Sequence, residues 1–347
     1  RIHDIRTIFR MMISGDIGLA EGYMRGEWET PDLTALLLLG SRNMESLSGA
    51  VSENPVVTAL NRIRHARRAN TRRGSRRNIA AHYDLGNDFY GCWLDSGMAY
   101  SSALFEAPDE TLAVAQRRKF LRLAEMLDLQ PGDSILEIGC GWGGFAELAA
   151  LEYGCTVVGL TLSQEQGKFS RDRMARAGLA GKVDIRIQDY RDVVGQFDKI
   201  VSVEMFEAVG QENWGTYFSV LDRCLKPGGR AALQSITIAN GKFDTYRRSP
   251  DFIQRYIFPG GMLPSPERFK DAAGKAGMQV HDSFFFGASY AETLRRWNEA
   301  FRQNWPAIER LGYDERFRRM WHYYLCYCET GFEDGHVDVG QFVLGRR

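Results

Sequence analysis

Apolar and polar positions follow two rhythms along this chain, and the change of rhythm divides it. Near the start the spacing is helical: Ile5 to Ile13 is amphipathic, and Thr30-Pro31-Asp32 reads as a cap opening a helix over the Leu33–Leu39 run. From about residue 78 short apolar runs of strand length take over. Ser134–Ile138, Thr156–Leu160, Val183–Gln188 and Lys199–Val203 read as strands with helices between them, and Ala231–Ile238 follows the turn Lys226-Pro227-Gly228-Gly229. Aromatic-rich helical insertions begin near residue 240, and Val337–Leu344 reads as the last strand. This alternation predicts a doubly wound α/β domain over 78–347 with a mainly parallel sheet, preceded by a small helical domain over 1–61.

Charge adds a third segment. Residues 62–77 carry eight arginines, from Arg62 to Arg77. On composition alone such a run is a solvated linker; its functional alternatives are contact with anionic headgroups or with nucleic acid. The 347 residues carry 44 basic and 44 acidic side chains, and this neutrality argues against a generic nucleic-acid binder. No apolar run approaches the roughly 18 residues of a membrane span, and no leader peptide is read, although Arg1 looks like a truncated start. Six cysteines, at 92, 140, 155, 224, 326 and 328, suit neither a zinc site nor a disulfide scaffold. They read as buried free thiols in a reducing compartment, so the expected location is cytoplasmic, with no metal.

The first strand runs into Gly139-Cys140-Gly141-Trp142-Gly143-Gly144 and then a helix start, where backbone can approach a ligand closely. The pattern alone also fits dinucleotide binding. Two features shift the reading. Glu137 stands two residues before the first glycine, where a carboxylate can meet a cationic ligand. The second strand ends in Thr161-Leu162-Ser163, with Gln166 beyond, and not in the acid a dinucleotide ribose requires. A sulfonium nucleoside, S-adenosylmethionine, fits better. Asp189 and Tyr190 follow the third strand and could bracket an adenine; Glu204 and Glu207 follow the fourth, where such sheets place their chemistry.

At these residues the chain resembles the cyclopropane-fatty-acid synthase family, which includes the mycolic acid cyclopropane synthases and methyl-transferring relatives. The resemblance covers about 78 to 344. It rests on Ala81-His82-Tyr83-Asp84-Leu85-Gly86-Asn87-Asp88-Phe89-Tyr90, Met98-Ala99-Tyr100-Ser101-Ser102-Ala103, the glycine turn, Val201-Ser202-Val203-Glu204-Met205-Phe206-Glu207 and Tyr256-Ile257-Phe258-Pro259-Gly260-Gly261. It implies a Rossmann-like class I methyltransferase fold. It also implies a cofactor site at Tyr100, Ser101, Gly139, Gly141, Thr161, Leu162, Gln166, Asp189 and Tyr190. A bicarbonate ion beside the reacting carbon is implied too, held in the family by a Cys, a Glu, a His, a backbone amide and a Tyr. The Glu matches Glu207, the amide Ile236, and the Tyr either Tyr324 or its neighbour Tyr323. Ser102 stands where the usual motif has Cys, and Gln234 where it has His. Gln234 cannot titrate near neutrality, which puts the cyclopropane product, though not the one-carbon transfer, in question.

The implied reaction is transfer of a one-carbon unit to the double bond of an unsaturated phospholipid chain. Alkylating a double bond leaves a carbocation, so water must be excluded and positive charge stabilised by aromatic faces and carboxylates. Phe206, Tyr256, Phe258, Trp297, Phe301 and Trp305 are candidates for the wall, each with ordinary core packing as its plainer role. The expected base is bicarbonate held by Glu207, Tyr324 and the Ile236 amide, with Gln234 and Ser102 completing the pocket. Glu204, a second carboxylate close by in sequence, reads as a hydrogen-bonded wall residue with a backup base as its alternative, and His82 as structural or a cofactor-lobe contact, not the general base. A lipid substrate also gives the arginine run and the apolar N-terminal helices a joint purpose in peripheral contact with an anionic bilayer, and a homodimer would provide two such contacts. The competing readings are a methyltransferase acting on a soluble small molecule, and a silent lipid-binding scaffold.

Overall fold

The computed structural model describes residues 1–43, 74 and 85–346. The arginines of the 62–77 run, His82 and the expected boundary at residue 61 lie outside the described residues.

Seven strands form one sheet: β1 (Ser134–Ile138), β2 (Thr156–Thr161), β3 (Val183–Ile187), β4 (Phe197–Val203), β5 (Leu225–Ile238), β6 (Met278–Phe285) and β7 (Val337–Arg346). Their order is β3-β2-β1-β4-β5-β7-β6. The first five pair in parallel; β7 runs antiparallel to both β5 and β6. The order reverses between β1 and β4, and the crevice beyond their carboxyl ends is where such sheets bind ligands. β1 and β5 alternate little because both faces are covered, which makes continuous apolar runs the right strand signal. β6 escaped that signal. It is one of the two edge strands, paired only with β7, and most of its residues are partly or fully exposed, so it carries no apolar run to read.

The N-terminal helices form as the spacing predicts, but they close no core of their own among the described residues. The helix Leu33–Arg42 is capped by Asp32, whose Oδ1 accepts from the Ala35 amide at 2.9 Å. The helix Arg6–Met24 is broken at Gly15, which has φ 55°. Beyond the break Ile17, Ala20, Tyr23 and Met24 are buried, and Tyr23 meets Tyr323 with ring centroids 5.8 Å apart. Before it, Ile5, Ile8, Phe9, Met12 and Ile13 are exposed. Both helices pack on the long helix Glu315–Glu333, and Tyr23, Trp28 and Leu33 join one core with Trp93, Trp297 and Trp321. No helix among the described residues is long and apolar enough to cross a membrane.

Candidate active site

The glycine turn after β1 floors the cavity at the switch point. Gly139 has φ 84°, and a Cβ there would lie 2.8 Å from Met205 Cγ. Only glycine fits that position, because both the backbone conformation and the space exclude a side chain. The Gly139 and Cys140 amides donate to Leu160 O at 3.0 and 2.8 Å, which ties the turn to β2. The helix Gly144–Glu152 follows at once.

Tyr100, Ser101, Glu137, Gly139, Gly141, Thr161, Leu162, Gln166 and Tyr190 all line this cavity. Thr161 Oγ1 donates to Gln166 Oε1 at 2.9 Å, and Ser163 Oγ caps the following helix by accepting from the Gln166 amide. Asp189 is the exception. Its carboxylate is buried against Arg191, with Nη2 at 2.7 Å and the Arg191 amide at 3.0 Å. A short helical turn starting at Tyr190 directs it there, and Gln188 lines the cavity in its stead.

Glu137 tests what the cavity can hold. It is buried, its Oε2 has no hydrogen-bond partner, and burial pushes its carboxyl up to about 8. A carboxylate left unmatched in a cavity wall is costly unless a donor or cation arrives with the ligand. S-adenosylmethionine, with a sulfonium and an ammonium, meets that demand. The glycine turn, Thr161, Gln166 and Tyr190 supply close backbone approach, hydrogen bonds and an aromatic face for the rest of it.

The opposite wall is the loop from Met98 to Phe105, pinned by buried polar side chains. Gln116 Nε2 donates to Ser101 O at 2.8 Å, the Ala103 amide donates to Thr293 Oγ1 at 3.0 Å, and Lys119 Nζ donates to Ser101 Oγ at 2.5 Å. Lys119 is fully buried; desolvation pulls its amine down to about 8, against the opposing pull of Glu204 and Asp95. Sequence reasoning missed it, although a signal was there. On the helix Leu112–Leu127 the buried stripe runs Ala115, Lys119, Leu123, Leu127 at intervals of four, and a lysine in an apolar stripe is seldom idle.

The residues expected to hold an anion fall into three groups. Ser102 and Gln234 meet at Glu204: the Ser102 amide and Gln234 Nε2 donate to Glu204 Oε1 at 2.9 and 2.7 Å, while Tyr290 Oη donates to Oε2 at 2.6 Å. Ser102 Oγ is turned to Ala103 O at 2.9 Å. Ile236 meets Glu207: its amide donates to Oε1 at 2.5 Å and Ser235 Oγ at 3.0 Å, leaving Oε2 unpartnered. Burial first, then the charge of Glu204, raise the Glu207 carboxyl to about 8. Tyr324 meets Tyr100, their hydroxyls 2.7 Å apart. Tyr323 instead faces Tyr23 and Phe252, away from the cavity.

Among the proposed wall aromatics, Trp297 and Phe258 stand beside the cavity-lining Tyr100, with centroids at 5.3 and 6.5 Å. Phe206 packs with Trp214 and Tyr217 under the sheet, Phe301 packs with Trp305, and Tyr256 Oη donates to Glu21 at 2.6 Å. Those four do not line the cavity.

Comparison with known proteins identifies the family. Residues 70–342 match the family model described as mycolic acid cyclopropane synthetase. The tuberculostearic acid methyltransferase UfaA1 of Mycobacterium tuberculosis is 42% identical over 96% of this chain and 79% of its own length. The cyclopropane-fatty-acyl-phospholipid synthase of Escherichia coli is 40% identical over 97% of this chain and 85% of its own. The solved mycolic acid cyclopropane synthase CmaA1, complexed with SAH and CTAB, superposes with a TM-score of 0.73 at 33% identity, over 78% of this chain and 97% of that one. The chain therefore belongs to the mycolic acid cyclopropane synthetase family, as an S-adenosylmethionine-dependent one-carbon transferase with a Rossmann-like fold.

Proposed function

We propose that this enzyme transfers a one-carbon unit to the double bond of an unsaturated acyl chain carried by a bilayer phospholipid. The carrying observation is the aromatic group of Phe258, Trp297 and Tyr324 gathered round Tyr100, which lines the cofactor cavity. S-adenosylmethionine, when bound, supplies an electrophilic methyl on a sulfonium. The protein's part is to hold it on the glycine turn, keep water out, and stabilise the cation left on the acyl chain. Aromatic faces do the last by cation–π attraction, and the Phe258 and Trp297 rings carry no hydroxyl that would trap the cation. The names of the two similar proteins, a fatty-acyl-phospholipid synthase and a tuberculostearic acid methyltransferase, support an acyl substrate.

Access to a bilayer fits the N-terminal helix. Ile5, Ile8, Phe9, Met12 and Ile13 present an apolar face to solvent, and Arg1, Arg6 and Arg10 lie along the same segment, paired with Glu29, Asp4 and Glu27. Such a helix inserts its apolar face at the headgroup boundary while arginines meet anionic lipid. The Arg62–Arg77 run would add to that attraction.

A second reading of the product has its own support. A methylated or methylene alkene, formed in place of a ring, is favoured by the Gln234 side chain and the Ser102 amide being committed to Glu204. Labelled S-adenosylmethionine with mono-unsaturated phospholipid vesicles, followed by mass spectrometry of the released fatty acids, tests both. A gain of one CH2 unit in the acyl chain supports the proposal, and NMR separates ring from alkene. Unlabelled lipid from protein that binds both cofactor and vesicles would move the reading to a soluble-substrate methyltransferase.

A further inference from the structure

Glu204 is an unusual wall residue. It is one of three described non-glycine residues with positive φ, at 49°, a conformation that persists only where the surroundings over-determine it. Its amide donates to Gln234 O at 2.8 Å and its carboxylate takes three donors: the Ser102 amide, Gln234 Nε2 and Tyr290 Oη. An ionised carboxylate has about four acceptor sites. Three are filled, so one lone pair of Oε2 is left on a side chain that lines the cofactor cavity. Burial raises its affinity for a proton, while Lys119 keeps the charged form accessible. Gln234 Nε2, which the family resemblance would turn toward a bound bicarbonate, is spent on this carboxylate, as is the Ser102 backbone amide, while Ser102 Oγ is held by Ala103 O.

We propose that Glu204 is a resident general base, its own carboxylate standing where an exchangeable bicarbonate would otherwise sit, so that this enzyme works without bicarbonate. The inference rests on the reading that the reaction passes through an acyl carbocation. There the alkene π pair forms the new bond to the methyl carbon, and the sulfur–carbon pair leaves with sulfur as S-adenosylhomocysteine. Glu204 Oε2 then accepts one proton from the cation. If that proton comes from the new methyl, the freed C–H pair closes a ring; if from the neighbouring chain carbon, it forms an alkene. No oxidant or reductant is required in either case. Tyr290 and Gln234 are positioning residues, holding the carboxylate's other lone pairs.

Two substitutions and two readouts test this. Binding of 13C-bicarbonate is followed by NMR, and one-carbon transfer is measured in carbonate-free and bicarbonate-replete buffer. The wild type is expected to bind no bicarbonate and to turn over equally in both buffers. Glu204→Ala is expected to retain S-adenosylhomocysteine binding by calorimetry, lose on the order of 10²–10⁴ in turnover, bind bicarbonate, and regain activity with bicarbonate or formate. Glu204→Gln keeps the shape but cannot take a proton; it is expected to lose as much and to resist rescue, and it decides the matter if the alanine variant does not fold. A wild type that binds bicarbonate or slows without it, or a Glu204→Gln enzyme of normal turnover, overturns the inference. If no lipid is modified by the wild type, the functional proposal falls instead, and bicarbonate binding by Glu204→Ala but not by the wild type still identifies the filled anion position.

Discussion

Glu204 and Gln234 are bound to each other twice. The Glu204 amide donates to Gln234 O at 2.8 Å, and Gln234 Nε2 returns to Glu204 Oε1 at 2.7 Å. Gln234 Oε1 is in turn held by Gln341 Nε2 at 3.0 Å. Adjacent strand ends β4 and β5 are thus latched at the cavity by a buried polar chain, in which each member depends on the next. Gln234→Leu removes the donor to Glu204 and the acceptor of Gln341. A loss of about 1–3 kcal/mol is expected from removing those two buried hydrogen bonds, read from urea unfolding, with S-adenosylhomocysteine binding little changed. Unchanged stability would mean that the latch carries no load.

Gly139→Ala should act on the cofactor. The new Cβ meets Met205 at 2.8 Å in a backbone region that disfavours side chains. Relief requires the turn to move away from the cavity floor. A strained position of this kind costs on the order of 1–3 kcal/mol, enough for about a tenfold or greater loss of S-adenosylhomocysteine affinity by calorimetry. Affinity equal to the wild type would show that the turn has slack.

Glu207 makes stability depend on pH. Folding raises its carboxyl from an ordinary 4.5 to about 8, through burial first and the charge of Glu204 second. Between those values the folded chain keeps a proton that the unfolded chain releases. The contribution is therefore complete at pH below 4.5 and is lost as pH rises through about 8, with a slope of up to about 1.4 kcal/mol per pH unit. Glu207→Gln abolishes that titration. Unfolding of both proteins across this range should show the wild type losing stability relative to the variant as pH rises, and parallel profiles would contradict the assignment.

The exposed helix face predicts lipid contact. Phe9→Glu with Ile13→Glu places two carboxylates where an apolar surface would enter anionic headgroups. Co-sedimentation with anionic vesicles should fall at least tenfold, with melting temperature and cofactor binding unchanged, because both side chains are largely exposed. Undiminished sedimentation would assign the contact elsewhere.

Much of the fold was legible because it is written in local order. Six of the seven strands announce themselves as apolar runs of strand length, since a sheet covered on both faces must bury nearly every residue. The glycine turn and the hydroxyl-ended second strand pointed to the right ligand class, because those constraints act on neighbouring residues. Met278–Phe285 was not legible, for at a sheet edge its partner strand, and not its own apolarity, holds it in place.

The pairing of the candidate catalytic residues was decided only by tertiary structure. The sequence by itself pointed to a sulfonium-nucleoside cavity, and the side chains named for it line it, Asp189 excepted. It did not determine their pairing. Glu204 and Gln234 are 30 residues apart, Ser102 and Glu204 are 102 apart, and Tyr100 and Tyr324 are 224 apart. Whether Ser102 and Gln234 serve a bound anion or a carboxylate of the chain depends on a left-handed turn at Glu204 that aims one side chain. No pattern of apolar and polar residues encodes that direction, because it is set by donors arriving from three distant segments of the chain.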